Sequence, residues 1–233
     1  ICCKRKKRRF ICKLHLCSFY DMIPVFTERN LRRLYNNVAA KDADLQGIIS
    51  QYGYPPLWVR PNTFETLVLT ILEQQVSLAS AYAAYKRLKG KTDVIEPHTF
   101  LLLTDEELRA CAFSRQKIIY VRGLATAMLQ NEINLEHLAT QPDDIVRTTL
   151  KKLKGIGDWT VDIYLLHALQ RTDIFPLGDL ALVNALKMVK GLDGATTKED
   201  LLQVGEPWKP HRSIATMLLW HYYIQKRGIK ILH

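Results

Sequence analysis

Apolar runs long enough to cross a membrane are missing from this sequence, since none reaches the eighteen or more residues that a bilayer demands. Segments that alternate apolar and polar with β-branched residues are missing too, which argues against a sheet-based architecture. Cysteine is scarce after residue 17. Cys2, Cys3, Cys12 and Cys17 crowd the start at spacings that match no common zinc pattern, and Cys111 follows alone. Reduced thiols in an intracellular protein are therefore expected. His98, His137, His167, His211 and His221 are scattered without metal-ligand spacing. No internal repeat or low-complexity tract occurs beyond the first twenty residues.

What is present is charge, unevenly placed. The chain carries 33 Lys and Arg against 23 Asp and Glu, a formal net charge of +10. Seven of the basic residues and none of the acids lie within residues 1–20, so the rest of the chain is close to balanced. Affinity for a polyanion must then come from a local patch and from backbone amides, not from bulk charge. Residues 1–21 (ICCKRKKRRFICKLHLCSFYD) begin without Met, and Met22-Ile23-Pro24 reads as a natural start. We expect this segment to be a non-native or disordered basic leader, with a nucleic-acid-binding tail as the second reading.

A chain of 233 residues with 48% hydrophobic content can bury one good core or two small lobes that share a cleft. From Thr27 the pattern reads as helix after helix. Thr27 caps a helix over 28–39, and a second spans about 42–51. After a loop over 53–61, Asn62 and Glu65 have the spacing of a capping box for a helix through Leu72. Gln74-Gln75-Val76-Ser77 interrupts that helix, and another runs to Lys89 before Gly90. Thr104 with Glu107 opens a helix to about Ala112, and Ser114 caps 115–130. Helices over 179–190, near 198–204 and over 213–226 close the chain. The fold class is all-α.

The most informative stretch is Asp143 to Leu186. A helical pattern over 143–152 breaks at Leu153-Lys154-Gly155-Ile156-Gly157 and resumes over about 158–170, giving a helix–hairpin–helix. The two glycines permit positive φ and remove side chains, so that backbone N–H groups can approach a phosphate. Twenty residues after Trp159, the loop Phe175-Pro176-Leu177-Gly178-Asp179 opens another helix. Asp179 is by residue type a good N-cap, and a helix N-terminus also favours a negative charge there.

Four ordered segments, LKGIGDWT (153–160), FPLGD (175–179), QQVS (74–77) and WKPHRS (208–213) with Trp220, cover roughly residues 60–225. In these the chain resembles the helix–hairpin–helix DNA glycosylases, and within them the 3-methyladenine DNA glycosylase II branch. The resemblance implies a two-lobed fold with the active site in the cleft. Residues 22–60 plus 171–233 form one lobe and residues 61–170 the other. The length leaves no room for the N-terminal β-rich domain of larger members.

The same resemblance makes Asp179 the catalytic carboxylate. It would stabilise positive charge on deoxyribose as the N-glycosidic bond breaks, or activate the attacking water. Trp159 and Trp220 match aromatic positions of the base pocket, where a cationic flipped base is held by stacking. Trp159 also follows the hairpin where lyase-active relatives place a Schiff-base lysine, which implies a monofunctional hydrolase. Ile163 and Leu180 replace tyrosines of better-known members and make the pocket more aliphatic. Gln75 matches the wedge that fills the stack. Gly155, Gly157, Lys154, Ser114, Lys117 and Arg212 match DNA-binding positions, although Arg212 is equally placed to brace the catalytic loop.

A monovalent cation held by the backbone carbonyls of Lys151, Leu153 and Ile156 is implied as a structural ion, and no cofactor for the chemistry. The four-cysteine iron–sulfur cluster of some members has no ligands after Cys111. The implied partner is double-stranded DNA containing a damaged base, the protein acting as a monomer away from membranes. Two other readings stand beside this one: a non-catalytic hairpin module that only binds DNA, and a glycosylase for oxidised or mismatched bases.

Overall fold

The computed structural model describes residues 23–229, so the expectations for the basic leader lie outside the described residues. Among the described residues the structure is helical apart from one isolated antiparallel bridge between Val25 and Arg171. No helix among them is long and apolar enough to cross a membrane.

The first two helices, α1 (Glu28–Ala39) and α2 (Ala43–Tyr52), begin at Thr27 and Asp42. Helix α1 buries Leu31, Leu34, Tyr35 and Val38, one face of a 3.6-residue period. Next come α3 (Phe64–Glu73) and α4 (Leu78–Lys89), then α5 (Pro97–Leu102), α6 (Asp105–Ala110) and α7 (Arg115–Leu129). Helices α8 (Leu135–Ala139), α9 (Asp143–Leu150) and α10 (Asp158–His167) lead into the hairpin region and beyond it. The chain closes with α11 (Leu180–Lys190), α12 (Lys198–Gly205), a short 3-10 turn over Glu206–Trp208, and α13 (Arg212–Arg227).

The contacts fall into two groups. Helix α13 packs on α1, α2 and α11, while α3 packs on α4, α7 and α10, with α5 and α6 against α7 and α9 between α8 and α10. Every residue of α13 from Ser213 to His221 is buried, so this helix is wrapped on all sides. Helix α10 buries Thr160, Val161 and Ile163 through Leu166 in the second group.

Two sequence expectations need correction. The cap of α3 is Thr63, whose hydroxyl accepts from Thr66 N, and not Asn62. Asn62 is drawn into tertiary contacts instead: its amide donates to Leu135 O at 2.9 Å and its oxygen accepts from the Tyr164 hydroxyl at 2.6 Å. Both residues are good caps locally, and the distant partners decide between them. The short helices α5 and α8 were not expected at all, because five or six residues are too few to display a helical period.

Candidate active site

The segment between α10 and α11 is irregular, yet it is held on every side. Phe26 N donates to Gln170 O at 2.9 Å and Thr172 N to Pro24 O at 3.2 Å, so the N-terminal strand-like stretch lies along it. From α13, the buried Ser213 hydroxyl donates to Arg171 O at 2.6 Å and accepts from Ile174 N at 2.8 Å. Arg212 grips Asp173 through Nε at 2.9 Å and a terminal nitrogen at 2.8 Å. Phe175 packs edge-on to Trp208, and a Cβ on Gly205 would come within 2.6 Å of the Phe175 ring. The last turn closes with Asp179 N donating to Pro176 O at 2.8 Å.

Asp179 is the N-cap of α11, its Oδ1 accepting from Leu182 N at 2.8 Å. Both indoles also donate to it. Trp220 Nε1 lies 3.0 Å from Oδ1 and Trp159 Nε1 lies 3.0 Å from Oδ2. A carboxylate offers about four lone-pair sites, so three of them are taken and one on Oδ2 stays open. Asp179 is half-buried, and three N–H donors fix the plane of its carboxylate and leave Oδ2 with a single partner. Such an oriented anion can stabilise positive charge that develops in front of it.

The hairpin sits beside this carboxylate because Trp159 lies in the first turn of α10. At Gly155 φ is +86°, and an added Cβ would come within 2.1 Å of the Tyr120 ring, so only glycine fits. Gly157 differs from expectation: its φ is −102°, an extended conformation open to any residue, and its missing Cβ faces open space. The turn is clamped from α3, where Gln74 Nε2 donates to Gly155 O and to the Thr160 hydroxyl, both at 2.9 Å. Arg147 pairs with Asp158 and Asp162, and Lys151 with Asp158 at 2.8 Å. Lys152 and Lys154 remain exposed, without an ion pair among the described residues.

The structure brings Gln75, Ser114 and Lys117 together around one groove, with Gln74, Val76, Gln116 and Tyr120. Gln75 is exposed at a left-handed φ of 57°, which costs a non-glycine residue on the order of 1 kcal/mol or more. Val76 and Leu78 beside it are exposed apolar residues. The Lys117 ammonium donates to Leu72 O at 2.7 Å and Gln74 O at 3.0 Å, capping the C-terminal carbonyls of α3, and burial pulls its pKa down. Its charge is thus spent inside the protein, whereas the Ser114 hydroxyl caps α7.

Arg212 is not brought to that groove and braces Asp173 instead. Ile163 is buried, and Leu180 is 78% exposed immediately after the carboxylate.

His167 is the residue that sequence reasoning missed. Its ring lies parallel to that of Trp220, with centroids 5.5 Å apart at 6°. Its Nδ1 is 2.9 Å from Trp58 O. Burial, and secondarily the Arg60 charge, lower its pKa to about 4. The available signal was its spacing, four residues after Ile163 and eight after Trp159 on one face of α10.

Residues 68–210 match the HhH-GPD superfamily, described as base excision DNA repair protein. A DNA-3-methyladenine glycosylase of Bacillus subtilis is 30% identical over 172 residues, which is 69% of this chain and 57% of that protein. Another Bacillus subtilis relative is 29% identical over 76% of this chain and 64% of its own length. The chain therefore spans less than two thirds of either relative. Among solved structures, the Schizosaccharomyces pombe 3-methyladenine DNA glycosylase in complex with abasic DNA superposes with a TM-score of 0.76 at 26% identity. That match covers 81% of this chain and 95% of the other.

Proposed function

The chain belongs to the HhH-GPD superfamily of base excision DNA repair proteins, and from that premise we propose that it is a DNA glycosylase for alkylated purines. It flips a 3-methyladenine-type base from duplex DNA and hydrolyses the N-glycosidic bond, leaving an abasic site. The observation that carries this reading is the Asp179 carboxylate, held by Trp159, Trp220 and the N-terminus of α11 with Oδ2 accepting only one of the three bonds.

Breaking the bond leaves positive charge on the sugar, and a fixed anion facing it lowers the barrier without having to reorganise. Alkylation at a ring nitrogen makes the purine cationic and already a good leaving group, so no strong acid is needed opposite Asp179. Trp159 stands where lyase-active relatives carry an amine, which supports release by water and no covalent intermediate. The partly buried Trp159 has a face that can stack on a cationic base, whereas Trp220 is buried with His167 lying parallel to it.

In this reading α1, α2 and α11–α13 form one lobe (22–60 plus 171–233) and α3–α10 the other (61–170), with Asp179 at the cleft. Gly155, Gly157 and Lys154 meet phosphate, and the strained Gln75, flanked by exposed Val76 and Leu78, enters the stack. A monovalent cation at the hairpin would neutralise phosphate charge there. The carbonyls of Lys151 and Ile156 accept no hydrogen bond among the described residues, which suits such an ion, while Leu153 O already accepts from Ile156 N at 3.2 Å.

The direct test is incubation with a duplex carrying one alkylated purine. We expect a free base and an intact abasic strand that breaks only on adding alkali. No release, or a strand cut without alkali, would remove the reading.

A further inference from the structure

A flipped base must be recognised by its edge as well as by its faces, and the residues that the resemblance assigns to the base pocket offer few polar atoms for that. Trp159 and Trp220 spend their only donors on the carboxylate. Ile163 and Leu180 have none. His167 is different. It continues the Trp159–Ile163 face of α10, and its ring lies parallel to that of Trp220, whose indole N–H holds Asp179.

The orientation of its proton follows from its partner. A backbone carbonyl only accepts, so Nδ1, 2.9 Å from Trp58 O, must carry the hydrogen. In the neutral ring Nε2 is then a bare acceptor. It has no hydrogen-bond partner among the described residues, yet it is not one of the fully buried unpartnered atoms, so it is open to an incoming group. Burial keeps the ring neutral, which also avoids a second positive charge beside a cationic base.

Resting on the glycosylase reading, we propose that His167 is a specificity-determining residue whose Nε2 accepts a hydrogen bond from the exocyclic amino group of a flipped 6-aminopurine. Alkylated adenines present a donor at that position, whereas alkylated guanines present the O6 acceptor, which a lone pair repels. The site therefore favours adenine-type lesions.

The experiment measures single-turnover release of 3-methyladenine and of 7-methylguanine from otherwise identical duplexes by the wild type, His167→Phe and His167→Gln. Phenylalanine keeps a flat ring against Trp220 but has no acceptor, and glutamine restores an acceptor. We expect the adenine-to-guanine rate ratio to fall roughly tenfold in His167→Phe and to recover in part in His167→Gln. Equal loss on both substrates would reduce His167 to a support for Trp220, and an unchanged ratio in both variants would also overturn the assignment. A wild type that releases neither base is a separate result, which removes the glycosylase reading and this one with it.

Discussion

The indole N–H of Trp159 lies 3.0 Å from Asp179 Oδ2, joining residues twenty positions apart on different elements. Trp220 makes the matching bond to Oδ1, so both tryptophans meet the carboxylate with their edges, while the partly buried Trp159 keeps a face for another partner and Trp220 is buried against His167. In Trp159, position and stacking are thereby divided between two parts of the same ring.

Removing only the donor separates those roles. Trp159→Phe keeps an aromatic face but frees Oδ2. We expect base release to slow by roughly 10–100-fold, with a melting temperature close to wild type because Trp159 is only partly buried. Trp220→Phe should slow release similarly and also cost about 1–3 kcal/mol of stability, since Trp220 is 8% exposed in the core. Rates and thermal melts of both variants check this, and unchanged rates would confine the tryptophans to stacking.

The two hairpin glycines should respond differently. Gly155→Ala forces a side chain into positive φ and against the Tyr120 ring, so stability should fall by about 1–3 kcal/mol or more. At Gly157 an added Cβ meets nothing within 4 Å and φ is negative, so Gly157→Val should melt close to the wild type. It should nevertheless bind damaged and undamaged duplexes more weakly to a similar degree, since its Cβ would stand where a phosphate approaches. A change in lesion preference with undamaged-DNA affinity intact would place Gly157 in the base pocket.

His167 also makes a pH prediction. Its folded-state pKa of about 4 lies below the ordinary histidine value of 6.5, so the unfolded chain takes up the proton first as pH falls. The folded state is then progressively disfavoured between about pH 6.5 and 4, by roughly 3 kcal/mol at most. His167→Phe should show a shallower decline in stability over that window than the wild type. Denaturation midpoints at pH 7 and pH 4.5 give the comparison, and parallel declines would show that His167 is not held neutral.

Local rules made much of this fold legible. Thr27, Ser77, Thr104 and Ser114 cap the helices that their residue types and spacing announce. What failed were cases settled at a distance. Asn62 loses the cap to Thr63 because Leu135 and Tyr164 claim its amide. Lys117 resembles a surface cation, but the carbonyls at the end of α3, more than forty residues away, take its charge. Gly157 follows the G-x-G pattern without the backbone conformation that the pattern suggests. The resemblance singled out Asp179, Trp159 and Trp220, yet nothing in a linear sequence shows that two indole edges meet one carboxylate across 20 and 41 residues. The spacing of His167 from Trp159 and Ile163 puts it on their face of α10, but only the Trp220 ring lying against it marks it as part of the site.

The measurement that bears most directly on the central claim compares the wild type with Asp179→Asn on an alkylated duplex, with and without borohydride. Asparagine keeps the size of the side chain and an oxygen able to cap α11, so the fold and the affinity for damaged DNA should persist. Because the lost anion acts on the transition state, release should fall by roughly 10²–10³-fold or more. The wild type should leave an uncut abasic strand and form no borohydride-trapped adduct. Undiminished release by Asp179→Asn, or a trapped covalent complex with the wild type, would contradict the account.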